Sequence, residues 1–123
     1  MFIPALIHNL SEAIGFCERY GIPYSIQEGK LDIPEPPESF FDKYSEMEKA
    51  AYNAGFITDH TNCFLTEAGY LLLTFSPYDG KLTEAAQKKI RSKGYDLRES
   101  GFDLYGYGTT TYVMAELVSP LDL

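Results

Sequence analysis

The chain has 123 residues, 45% hydrophobic and 15% aromatic, a composition that excludes intrinsic disorder and supplies one core without disulfide or metal staples. Its net charge of −8, from 18 acids against 10 bases, argues against nucleic acid as a direct ligand, because phosphate contacts require a basic face. The same charge favours a protein with a basic surface as partner, since opposite fields speed encounter.

No apolar run reaches the length needed to span a membrane. The opening MFIPALIHNL lacks a basic n-region and a small-residue cleavage site, so a cytoplasmic protein is expected. Cys17 and Cys63 then read as two free thiols in a reducing compartment. The charge is uneven. Residues 1–62 hold ten acids and four bases, whereas residues 63–123 hold eight and six.

Residues 4–20 read as a helix, with Pro4 in its first turn and Gly21 just past its end. Ile3, Ile7, Leu10, Ile14 and Cys17 form an apolar stripe that Leu6, Ala13, Phe16 and Tyr20 widen; the polar strip is His8, Glu12, Gly15 and Arg19. PYSIQEGKLDIP alternates about Gly29-Lys30, which predicts a hairpin with glycine first in its turn. Pro34, Pro36 and Pro37 then force an extended connector.

A second helix is expected over 39–54, with Phe40, Tyr44, Met47, Ala51 and Ala54 as its core stripe and Phe41 and Ala50 beside it. Ser39 with Asp42 resembles a capping box, Asp standing in for Glu. Glu38, Asp42 and Glu46 fall four apart on an adjacent face. The helix dipole favours acids in the first turn, and Lys43 and Lys49 flank Glu46, so ordinary helix chemistry covers most of that stripe. It leaves the approach unexplained, where Glu28, Asp32, Glu35 and Glu38 come with only Lys30.

Residues 56–75 admit two readings. One is a meander of Phe56–Thr58, Cys63–Thr66 and Tyr70–Phe75, with turns at Asp59–Asn62 and Glu67–Gly69; the other is a short helix capped by Thr66. Strand is the preferred reading of Tyr70–Phe75. LTEAAQKKIRSKG predicts a helix capped by Thr83 and ended by Gly94, with Leu82, Ala86 and Ile90 inward. Its cations Lys88, Lys89, Arg91 and Lys93 complement the dipole at the C-terminus; read functionally they are an anion patch. Together with the acid stripe they make the molecule dipolar, which allows head-to-tail self-association.

YDLRESGFDLYGYG reads as a hairpin about Ser100-Gly101, with Arg98 opposite Asp103 and Leu97 opposite Leu104. Residues 109–118 make a last strand. The expected fold is a single α+β domain over 1–123: about three helices with an antiparallel sheet built from hairpins.

Few residues carry chemistry. Asp59-His60-Thr61-Asn62-Cys63 is the one stretch with catalytic residue types in close order, but the pair lacks a third, orienting group, and Asp-x-x-Asn is common turn chemistry. Two ligands at H-x-x-C spacing fall short of a zinc site, so no metal and no cofactor are expected. Gly106-Tyr107-Gly108 lacks the spacing and the strand-to-helix setting of a phosphate cradle. The tyrosines near it suit an interface, with Tyr105 and Tyr107 as candidate anchors.

LTEAGYLLL, residues 65–73, resembles the L-T-x-x-G stretch beside the wing of winged-helix regulators, which implies DNA binding. The preceding helix, however, is acidic where a recognition helix is basic. In size, acidity and lack of motif the chain also looks like the small anti-CRISPR-like inhibitors that phages and mobile elements direct against nucleic-acid-handling enzymes. The leading expectation is therefore a non-catalytic acidic inhibitor that blocks the nucleic-acid-binding surface of a basic partner. Its expected contact residues are Glu28, Asp32, Glu35, Glu38, Asp42, Glu46, Tyr105 and Tyr107. A winged-helix-like regulator and a small enzyme using Cys63 and His60 are the alternatives.

Overall fold

A computed structural model describes residues 10–55, 61–77, 81–104 and 111–117. Their elements are α1 (Leu10–Tyr20), β1 (Ser25–Gln27), β2 (Lys30–Asp32), a 3₁₀ turn (Glu38–Phe40), α2 (Phe41–Asn53), β3 (Thr61–Leu65), β4 (Tyr70–Phe75), α3 (Glu84–Ser92), β5 (Asp96–Glu99) and β6 (Tyr112–Leu117). This is the expected α+β class, with three helices and two antiparallel sheets. One sheet is the β1–β2 hairpin and the other has four strands in the order β3-β4-β6-β5.

The continuous apolar run YLLLTF becomes β4, which lies between β3 and β6 and is buried on both faces. Strand alternation sends Leu71, Leu73 and Phe75 to one face and Leu72 to the other. On the first face they meet Met47 and Ala51 of α2 and Ala86 and Ile90 of α3, with the Phe75 and Tyr112 rings stacked at 5.8 Å. On the second, Leu72, Phe64 and Val113 meet Ala13, Phe16 and Cys17 of α1 and Leu31 and Ile33 of the hairpin segment. The sheet thus has helices on both faces. Strands β4 and β5 are each antiparallel to β6, hence parallel to each other, and α3 is the crossover this requires.

Several expectations hold for local reasons. Gly21, Gly55 and Gly94 follow the three helices with φ of +68°, +96° and +94°. The Thr83 hydroxyl accepts from the Ala86 N–H at 3.1 Å, as an N-cap should. Thr66 closes the β3–β4 turn: its hydroxyl accepts from Tyr70 N–H at 3.0 Å and its own N–H reaches the Tyr70 carbonyl at 2.9 Å.

Others are corrected. The hairpin turn is Glu28-Gly29, one residue earlier than expected, because both positions take positive φ, 54° and 76°, as a two-residue turn that follows the strand twist demands. The capping box at Ser39 does not form. Residues 38–40 tighten into a 3₁₀ turn, with Phe40 N–H on the Pro37 carbonyl at 2.9 Å and no side-chain cap on α2. Thr61 and Asn62 belong to β3 rather than to a turn.

The hairpin about Ser100-Gly101 is also overturned. Leu97 faces Met114 and Arg98 faces Val113, since β6 rather than 102–104 partners β5. Ser100 instead folds the chain back on itself, accepting from Phe102 N–H at 3.1 Å, and sends Phe102 against α1. Gly15, expected on the polar strip, is where that ring lies: a Cβ there would sit 2.9 Å from Phe102 Cε1. Residues 4–9 of the first helix and the strand expected at Phe56–Thr58 lie outside the described residues.

Candidate functional site

The acids follow the chain around one edge of the sheet. Glu28 stands exposed at the hairpin tip and Asp32 half-buried on β2, both on the α1 side. The proline connector then runs beside edge strand β3, where Glu35 and Pro36 share a cavity of about 240 Å³ with Thr61, Asn62 and Cys63. Proline cannot donate to a ladder, so the connector passes the β3 edge without extending the sheet. Glu38 follows in the 3₁₀ turn, and Asp42 and Glu46 lie four apart on α2, all exposed. Glu46 falls on the α2 flank that reaches Tyr95, whose hydroxyl pKa is raised by burial first and then by Glu116 and Glu46. The expected site residues therefore form a band from one layer to the other rather than a single patch. Tyr105 and Tyr107 lie outside the described residues.

The sequence reading missed what the band encloses. The cavity beside Glu35 is walled by Phe40, Phe41 and Tyr44, and Phe41, read as a core neighbour, is 47% exposed. Tyr44 is anchored there. Its hydroxyl lies 2.9 Å from Thr61 Oγ1, and Thr61 donates to Glu48 Oε2 at 2.8 Å. Because Thr61 spends its one proton on Glu48, Tyr44 is the donor in the first bond. Burial, with Glu48 adding to it, pushes the Tyr44 pKa up to about 12, so the phenol stays a neutral donor. The display follows from the local geometry: the 3₁₀ turn ends at Phe40, which is buried, and Phe41 opens α2 about 100° further round, off the stripe of Met47 and Ala51.

Cys63 is free, and burial, then Glu48, pushes its pKa up to about 12. A thiol held protonated is the reverse of an activated nucleophile. His60, its proposed partner, lies outside the described residues, as does His8. Cys17 is free and buried on the other side of the sheet, its pKa raised to about 11 by burial and then Glu18. Among the described residues no three His, Cys, Asp or Glu side chains gather as a metal site, and no helix is long and apolar enough to cross a membrane.

The cations behave differently from the acids. The Arg91 guanidinium donates to the Leu97 carbonyl of edge strand β5 at 2.9 Å, so this base of the expected anion patch serves the fold. LTEAGYLLL spans the end of β3, the β3–β4 turn and most of β4, and the helix just before it in sequence displays Asp42 and Glu46.

No protein-family model, no curated protein and no solved structure matches the chain.

Proposed function

We propose that the protein is a non-catalytic module that binds a basic protein and occupies the surface that partner uses for nucleic acid. One observation carries the reading: the exposed acid Glu35 lines an aromatic-walled cavity with Phe41 on display, and the exposed Glu38 and Asp42 lie within two residues of its Phe40 and Phe41. Acids alone describe any solvated surface. Acids beside an exposed ring match a basic side chain with a long stem, since arginine and lysine stems lie along rings while their heads meet carboxylates. Such a partner surface is the kind that binds phosphate backbones, which places the reading with inhibitors of nucleic-acid-handling proteins.

The test is capture from the native cell with the tagged protein, comparing wild type with a Glu35→Gln, Glu38→Gln, Asp42→Asn variant. Three exposed charges at ~0.5 kcal/mol each weaken affinity about tenfold at low salt. The wild type should also displace labelled nucleic acid from the captured partner. Equal capture by the variant at low salt would sink the proposal.

A further inference from the structure

On the face away from α2 and α3, α1 and the hairpin leave part of the sheet uncovered. There a cavity of about 320 Å³ opens between the end of α1, the β3–β4 turn and β5. Its floor is the run Leu72, Ala115 and Val113, adjacent across β4 and β6 by register. The half-buried Tyr20 and the 43% exposed Tyr70 stand at its sides. Two arginines line it, Arg19 from the last turn of α1 and Arg98 from β5.

Arg98 is oriented rather than neutralised. Asp96, two residues earlier on β5 and so on the same face, takes its Nε at 2.9 Å, and both side chains stay more than half exposed. That pair leaves the terminal nitrogens of Arg98 as donors. Two arginines against one aspartate give the lining a single positive charge in a chain whose net charge is −8.

We infer that this cavity binds a small organic carboxylate with an apolar body, its carboxylate between Arg19 and Arg98 and its body on Leu72, Val113 and Ala115. The charge selects against a cation, and Asp96 beside Arg98 selects against a phosphate dianion. The apolar floor selects against a bare inorganic ion, which would leave it wet. An aromatic acid satisfies all three, pairing planar guanidinium with planar carboxylate. The site is independent of the acidic band.

The experiment is an amide-resolved NMR titration of the whole chain with 3-phenylpropionate, against its neutral isostere 3-phenylpropionamide. The acid should bind about tenfold tighter than the amide, more weakly as salt rises, with saturable shifts at Leu72, Val113 and Ala115. Arg19→Gln and Arg98→Gln should each bring the acid towards the amide's affinity while the rest of the spectrum stays unchanged. Ala115→Leu, which fills the floor without touching a charge, should abolish both. Equal binding of acid and amide, indifference to both arginine variants, or no shifts at these amides by millimolar ligand would each overturn the inference.

Discussion

The two layers that sandwich the sheet are built by different means. Below it, α2 and α3 close the face with their own apolar stripes, and the start of α3 is set by its own neighbours: the Thr83 cap, and Gln87 Nε2 to the Leu82 carbonyl at 3.1 Å. Above it, α1 is tied down by distant segments. Phe16 meets Phe64 and Phe102 at 6.0 Å, Glu67 N–H bonds the Gly21 carbonyl at 2.9 Å, and Asp103 N–H reaches Glu12 Oε2 at 3.3 Å, 91 residues away. The lower layer has a periodicity that can be read off the sequence. The upper one depends on pairings that exist only after the chain has folded. The same contrast holds for the sites, because the incomplete cover is what leaves the arginine-lined cavity open.

Removing one ring from each layer is the strongest way to break this comparison. Phe75→Ala and Phe16→Ala each delete a fully buried ring, and each should cost about 3–5 kcal/mol by denaturant unfolding. Hydrogen exchange separates them. Phe75→Ala should lower protection throughout the four-stranded sheet, whereas Phe16→Ala should release α1 and the β1–β2 hairpin ahead of it. Uniform loss in both variants would mean that the layers are one cooperative unit.

Alkaline pH probes both layers through their thiols. Burial raises Cys63 from the ordinary 9.0 to about 12 and Cys17 from 9.0 to about 11, so the folded state holds each proton more tightly than the unfolded chain does. The stabilisation this supplies is complete below about pH 9 and is lost as pH rises towards those folded values. The melting temperature should therefore fall above pH 9. The slope should be shallower in Cys63→Ala and, to a lesser degree, in Cys17→Ala. Parallel slopes in all three proteins would remove the thiols from the explanation.

A smaller effect tests how local the lower layer is. Thr83→Ala removes one cap bond from α3 and should cost about 1 kcal/mol, with fraying confined to its first turn.

Legibility in the sequence follows the same division. The α3 stripe, its cap and its terminal glycine are stated within thirteen residues, and the α2 stripe within fifteen, so periodicity and turn chemistry suffice there. Strand was the preferred reading of β4, but Thr66 offered a helix cap as readily as a turn, and a short apolar run does not decide between the two. Its two-sided burial was not legible, since that depends on what the chain brings to each face. The strand pairing of β5 failed for the same reason: Ser100-Gly101 looks like a turn and is one, but what returns from it is a loop, and β6 claims the edge. Of the candidate site, the acids were visible as residues, yet the cavity beside Glu35 joins the connector to β3 across 25 positions or more, and no spacing rule reaches that far.

The hairpin tip carries the smallest expected effect and the one opposite in sign. Glu28 holds φ of 54°, a conformation that costs a residue with a Cβ about 1 kcal/mol or more and that asparagine tolerates better. Glu28 is exposed and at the band's upper end, so replacing it removes a charge as well as strain. Glu28→Asn should raise stability by about 0.5 kcal/mol, measured as a shift in denaturation midpoint at unchanged slope. Glu28→Gln keeps the strain while removing the same charge, so it should leave stability where it is. If the band extends to the hairpin, both variants should weaken partner capture equally despite their different stabilities. If capture is untouched by either, the partner surface begins at the connector and the glutamate at the turn is there for solubility alone.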